Sequence, residues 1–286
     1  MSPAWKRFLL AASVVLYVGL TACLSAHYGA PYASGFRALR HWLEGGTPLR
    51  LSASAPAPGR PFTIRMARLD LALASPDREI PLITLNDVRI GYSLARLLFG
   101  ELRLDFQARA AGGRLRGRFS ADLWGDREMR LELLEADLPQ FALSLPSGQG
   151  AIAGRLQARA VVLGKQGVIP TGGQGEVLIA DGRLKGMTLP AFPFTDLDFE
   201  RLEAKFSLET GQVLLERFRV EGKTGGLQMA GRVRDYARPV LELKGEGWMG
   251  PDGRKGPRAG FRVFGPALAP RFEITSTTLP GAPPSR

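Results

Sequence analysis

Beyond Pro31 the chain is built of short runs in which apolar and polar residues alternate, and glycines cut the runs apart. Alternation with period two places one set of side chains on each face of a strand. Runs such as Leu82–Tyr92 (LITLNDVRIGY) and Glu101–Ala110 (ELRLDFQARA) therefore call for antiparallel hairpins with one face buried and one face wet. Few long helical patterns interrupt them. What remains is one curled or two packed antiparallel sheets. The expected fold is mainly β: a curved antiparallel sheet forming an open trough or half-barrel, with a few short helices.

The strands read as Arg65–Ala74, Leu82–Tyr92, Glu101–Ala110, Arg114–Asp122 and Glu128–Ala136, then Phe199–Leu208, Gln212–Val220, Leu227–Arg234, Val240–Trp248, Phe261–Phe264 and Arg271–Thr275. Gln149–Leu163 is a strand or a bent pair, and Lys165–Gly175, with Gly172-Gly173-Gln174-Gly175, reads as a loop. Asp181-Gly182 marks the turn of a hairpin within Gly175–Leu184. Leu49–Ala67 carries Pro56, Pro58 and Pro61 and reads as a broken lead-in with one strand; Ser93–Phe99 breaks the alternation as a single helical turn; Gly250–Gly260 is a charged loop. The 35 glycines and 21 prolines fall between runs, which makes them punctuation and not low complexity.

Two stretches echo each other. Gly100-Glu-Leu-Arg-Leu-Asp-Phe leads to Gly113-Arg-Leu-Arg-Gly-Arg-Phe, and Gly211-Gln-Val-Leu-Leu-Glu-Arg-Phe leads to Gly226-Leu-Gln-Met-Ala-Gly-Arg-Val. Each echo has a strand opened by glycine and a second strand with an internal glycine, Gly117 or Gly231, where a sheet bends or bulges. A β domain over 47–278 with two related halves near 62–138 and 149–248, and a tail over 279–286, accounts for this.

The N-terminus has a different character. Phe8–Ala26 (FLLAASVVLYVGLTACLSA) carries no charge, and Lys6 and Arg7 precede it. Its length suits a transmembrane helix with residues 1–7 in the cytoplasm and the β domain on the far side. Leu20-Thr21-Ala22-Cys23 also resembles a lipobox, with Cys23 as the acylation site, and a cleaved signal ending near Ala22 or Ala26 is the third reading. All three export the β domain. A short juxtamembrane helix follows within 31–46, with Phe36, Leu39 and Leu43 on one face and Gly45-Gly46 at its end.

Reactive groups are scarce. Cys23 is the single cysteine, so no internal disulfide forms. His27 and His41 are the two histidines and both precede the β domain, which leaves no Ser/His or Cys/His pair within it. A lone histidine on such a helix is read as structural. Asp196, Asp198 and Glu200 read as solvated strand positions and not as a cation site. The formal charge is +11, but basic residues are spread along strands beside acidic ones (Arg68/Asp70, Arg103/Asp105, Arg130/Glu132). No nucleic-acid motif accompanies them, whereas attraction to an acidic lipid or partner surface is open. No catalytic, cofactor or metal residues are expected.

Leu85-Asn-Asp-Val-Arg-Ile-Gly-Tyr-Ser93-Leu-Ala-Arg-Leu-Leu-Phe-Gly100-Glu-Leu-Arg-Leu resembles a recurring element of the AsmA-like superfamily, a strand, a turn of helix and then G-x-L-x-L. Gly175-Glu-Val-Leu-Ile-Ala-Asp-Gly-Arg-Leu, Leu189-Pro190, Phe194-Thr-Asp-Leu-Asp-Phe199 and Gly211-Gln-Val-Leu-Leu-Glu-Arg-Phe resemble the middle of the type II secretion system protein N (GspN) family. The resemblance runs from about Phe8 to Arg234. It implies a single-pass inner-membrane protein of a Gram-negative cell with a periplasmic β domain. It also implies a non-enzymatic scaffold role beside other type II secretion components. An AsmA-like trough that handles lipid is the alternative it carries.

Overall fold

The computed structural model describes residues 27–46, 49–74, 79–122, 124–138, 151–165, 168–185, 196–235, 239–250, 256–267 and 270–278, together with 21, 24 and 25. Helix α1 (Tyr32–Gly46) leads into β1 (Leu49–Ala53), β2 (Ala57–Pro58), β3 (Thr63–Ala74) and β4 (Glu79–Tyr92). After α2 (Leu94–Leu98) come β5 (Glu101–Ala110), β6 (Gly113–Asp122), β7 (Asp126–Asp137), β8 (Ala151–Lys165) and β9 (Val168–Lys185). The chain continues through β10 (Asp196–Glu209), β11 (Gln212–Gly222), β12 (Gly225–Arg234), β13 (Val240–Met249), β14 (Arg258–Pro266) and β15 (Arg271–Thr278).

All 15 strands belong to one sheet, ordered β1-β3-β4 and then consecutively to β15, with β2 paired to β3 on the side. Each pairing is antiparallel, and β1 and β15 are the two ends of the ladder, so the sheet does not close. The β7–β8 pairing joins the two sequence halves into this one sheet.

Alternation gives the sheet two unlike faces. One register row on the apolar face runs Ile64, Ile90, Phe106, Gly117, Leu131, Ala160, Gly175, Phe206, Leu215, Gly231, Leu243, Val263 and Phe272, crossing β3 to β15. A single-residue slip would turn every member to the wet face, so register and burial fix each other. Bulges add local bend and twist to the ladder. Asp87, Glu135 and Asp181 sit with positive φ where β4, β7 and β9 bulge against their neighbours. Each extra residue is absorbed there, so the apolar side stays apolar beyond the bulge.

The core is graded along the strands. Ala110, Ala136, Leu156, Ile179, Leu202, Val220, Leu227 and Ala259 are buried in one cluster near the end of the sheet that carries the β5–β6 and β11–β12 turns. Toward the opposite end, Leu104, Phe119, Met129, Val162, Leu208, Val213 and Val233 on the same face are half-buried. A second cluster of Met66, Val88 and Ala108 takes Phe36 of α1, which seats that helix on the sheet. The Leu51 amide donates to Glu44 at 3.1 Å and ties the end of α1 to β1.

Several sequence expectations are corrected. Lys165–Gly175 is not a loop: Gly172, Gly173 and Gly175 lie inside β9, opposite Glu209, Leu208 and Phe206 of β10 respectively. Asp181-Gly182 is not a hairpin turn but a bulge in that 18-residue strand, because β8 and β10 pair with it on both sides of the bulge. Leu49–Ala67 holds two strands and the start of a third. Gln149–Leu163 resolves to the single strand β8. The Ser93 helical turn stands as expected, with the Arg96 amide donating to the Ser93 hydroxyl. The transmembrane helix expected over 8–26, apart from residues 21, 24 and 25, lies outside the described residues. Among the described residues no helix is long and apolar enough to cross a membrane.

Candidate interaction surface

Three features of the sheet could meet a partner: its charged face, its apolar face and its free edges. On the charged face one register row runs Arg65, Arg89, Gln107, Arg116, Glu132, Arg159, Glu176, Lys205 and Arg217. At about 4.8 Å per strand the row is about 38 Å long. An open groove of about 750 Å³ lies over its middle, lined by Gln107, Arg116, Glu132, Arg159, Glu176 and Lys205 among others. Members of the apolar row, Phe106, Gly117, Leu131, Ala160, Gly175 and Phe206, border the groove as well, so it is lined from both register rows.

Charges in the row are mated across strands. Arg159 of β8 reaches Glu132 of β7 at 3.0 Å and Glu176 of β9 at 4.0 Å. Elsewhere on this face Arg118 meets Asp105 at 2.7 Å, Arg232 meets Glu242 at 2.6 Å, and Arg183 holds Asp198 through a second contact of 3.2 Å. Arg68 pairs with Asp70 and Arg103 with Asp105, as their spacing implied. Arg130 pairs with Glu128 and not with Glu132, which belongs to Arg159. The Arg232 guanidinium, backed by Arg234 and Arg262, holds the Glu242 carboxyl below the usual carboxylate range. Arg68 does the same to Asp70, helped by the Thr84 hydroxyl. These pairs are solvent-exposed, so water and salt screen them and each adds little to stability.

The glycines singled out in the sequence have two different roles. Gly100 and Gly211 have positive φ at turns, and the backbone next to Gly211 leaves open space. Gly113, Gly117, Gly226 and Gly231 are close approaches: a side chain there would strike the Leu134 carbonyl, the Phe106 ring, the Trp248 ring and the Glu242 carbonyl respectively. Three further glycines under rings were not singled out from sequence: Gly175 under Phe206, Gly182 under Phe199 and Gly245 under Phe261. In each aromatic case ring and glycine are direct cross-strand partners: Phe106 with Gly117, Phe206 with Gly175, Phe199 with Gly182, Trp248 with Gly226 and Phe261 with Gly245. The ring lies over the bare backbone and restores the packing that a glycine in a strand forfeits.

His27 is fixed as a structural residue. It is 2% exposed, with Nδ1 at 2.6 Å from both the Tyr92 and Tyr32 hydroxyls, while Tyr32 donates to the His27 carbonyl at 2.7 Å. Nε2 has no partner. A proton on Nδ1 leaves only a lone pair unsatisfied, so Nδ1 is assigned as the donor. Burial, reinforced by the Tyr92 hydroxyl, pushes the Tyr32 phenol far above its ordinary value. The cluster bolts the segment that follows the N-terminal apolar run to the end of β4.

Asp198 is engaged by Arg183, and no group of three or more His, Cys, Asp or Glu able to hold a metal occurs among the described residues. Cys23 lies outside the described residues. At the sheet edges, β15 pairs only with β14 along its length, and Thr275, Ser276, Thr277 and Thr278 are exposed. No protein-family model matches the chain, and neither a curated protein nor a solved structure matches it.

Proposed function

We propose that this chain is a non-enzymatic scaffold, anchored in the inner membrane by its N-terminal apolar segment, with the sheet in the periplasm. On the strength of the sequence resemblance, its place is as an accessory of the type II protein secretion system. The observation that carries the scaffold reading is the unclosed ladder: a wide two-faced sheet that ends in the exposed, Thr/Ser-rich strand β15. An edge of this kind recruits a partner strand by main-chain hydrogen bonding, with side chains alternating between the partner's two faces. The charged row that crosses β3 to β11 on the sheet face supports recognition of an acidic partner surface.

Deleting the gene and measuring release of secreted proteins tests the reading. Loss of release, restored by the wild-type chain, supports it. Unchanged release under several growth conditions counts against it. Prolines at Glu273 and at the adjacent Ile274, made separately, sharpen the test, because backbone N–H groups of neighbouring edge residues point alternately outward. One of the two variants blocks strand addition while sparing the β14 pairing more than the other.

A second reading is lipid handling, favoured by the half-buried apolar residues Leu104, Phe119, Met129, Leu208 and Val213 at one end of the apolar face. Phospholipid that copurifies with the full chain, identified by mass spectrometry, supports it. A lipid-free preparation opposes it.

A further inference from the structure

One end of the sheet carries large apolar side chains that stand exposed among the described residues. In α2 and its cap, Leu98 is 87% exposed and Phe99 89%; Trp124, in the turn between β6 and β7, is 86% exposed. Leu97 and Leu163 add to the same end, and Phe99, Trp124 and Leu163 line one shallow depression with Arg127 and Lys165. A soluble surface rarely gathers this much apolar area without a partner. Polar positions were available at each site, since neither α2 nor the β6–β7 turn contributes to a buried cluster.

The position of this tip identifies its partner. His27 comes directly after the uncharged segment Phe8–Ala26 and is bonded to Tyr92. Ser93 caps α2, so Phe99 follows Tyr92, the residue that holds the N-terminal segment, by only about 10 Å of helical rise. His27, the first residue after the apolar segment, and the apolar tip thus lie at the same end of the sheet. Exposed Trp, Phe and Leu side chains gathered at one end suit a membrane–water interface, where aromatic rings sit at headgroup level; the depression between them is edged by both signs of charge, Arg127 and Lys165 beside Glu101, Asp122, Asp126 and Glu128.

We infer that the end of the sheet bearing Leu98, Phe99 and Trp124 rests in the bilayer interface and stands the sheet upright on the membrane. This rests on the anchor reading given above, and adds a second, peripheral point of contact. Two contacts fix orientation, where a single helix would leave the sheet free to tilt.

The test uses the full chain with Cys23→Ser, reconstituted in vesicles of phosphatidylethanolamine and phosphatidylglycerol. An environment-sensitive fluorophore is attached in turn at Phe99→Cys, Trp124→Cys and, at the opposite end of the sheet, Lys223→Cys. Lipids carrying a nitroxide high on the acyl chain are expected to quench positions 99 and 124 several-fold more than 223. Equal, weak quenching at all three positions in chains that float with the vesicles overturns the inference and leaves the anchor standing. Protection of 99 and 124 from aqueous iodide without lipid quenching means a protein covers the tip, which also overturns it. If the chain does not float, the anchor reading fails on its own. Quenching at 99 and 124 on adding preformed vesicles then upholds the tip contact, and its absence refutes it.

Discussion

Replacing Gly175 by alanine tests whether rings over glycines hold this sheet together. The new Cβ would lie 2.7 Å from Cε2 and 3.0 Å from Cε1 of Phe206, and nearer still to Cζ. Carbon contacts are comfortable at about 3.5–4.0 Å, so the ring must shift by about 1 Å. Overpacking of that kind costs about 1–3 kcal/mol. The reduced freedom of the unfolded chain offsets about 0.4–1 kcal/mol, since the backbone at 175 lies outside the left-handed region. A net loss of about 1.5 kcal/mol is expected. Phe206→Ala alone removes a half-buried ring and costs about 2 kcal/mol, below the range for a fully buried phenylalanine. In the double variant the alanine occupies space that the ring has left. The total then falls to about 1.3 kcal/mol, far from additive, with a coupling near −2 kcal/mol. Denaturant unfolding of the full chain in one detergent, followed by circular dichroism, measures the cycle. Gly172→Ala is the control, because its Cβ would meet nothing closer than 3.9 Å. If Gly175→Ala behaves like Gly172→Ala, or if the two losses simply add, the ring does not depend on the missing side chain and the argument fails.

Other perturbations follow from the same contacts. Asp70, Glu44 and Glu242 are held below the ordinary carboxylate range, Glu44 chiefly by the Leu51 amide. Their pairing therefore stabilises the fold fully above about pH 4.5 and is lost as pH falls through their lowered values; a titration of the unfolding midpoint should be flat above that pH and drop below it. Tyr92→Phe removes one hydroxyl from His27 and should cost about 1–3 kcal/mol, read as faster amide exchange in α1 with little change in β10–β12. Arg159→Ala removes a cation with two carboxylate partners yet should change stability by no more than about 1 kcal/mol, because both pairs are exposed; a larger loss in thermal unfolding would mean the charged row is structural. Val220→Ala, in a fully buried position, should cost about 2–3 kcal/mol by the same unfolding assay.

The strands were legible because alternation is a local property. Glu101–Ala110 coincides with β5, and the neighbouring strands differ by a residue or a few at their ends. Register was legible only where turns are short. Ala111-Gly112 is a two-residue turn, and counting back from it sets Phe106 opposite Gly117. No such count sets Phe206 opposite Gly175, because the ten residues between β9 and β10 leave the offset open. Asp181-Gly182 misled for the opposite reason: a strong local turn signal was outweighed by pairing on both flanks. The Arg130 pairing was equally out of reach, since Glu128 and Glu132 are equidistant in sequence and only the β7–β8 register gives Glu132 to Arg159. The exposed tip was read as a helical turn, but its exposure depends on what α2 fails to touch, which no spacing reveals.

From β3 onward every strand lies beside its predecessor in the chain. A chain that is threaded N-terminus first through a narrow exit can therefore add each hairpin arm as it emerges, with no need to wait for distant segments. The same ordering means that loss of the last strands uncovers β13 or β14 as a new border and leaves the earlier ladder intact. Partial molecules of this design should thus be partly folded, much as a shortened repeat array is.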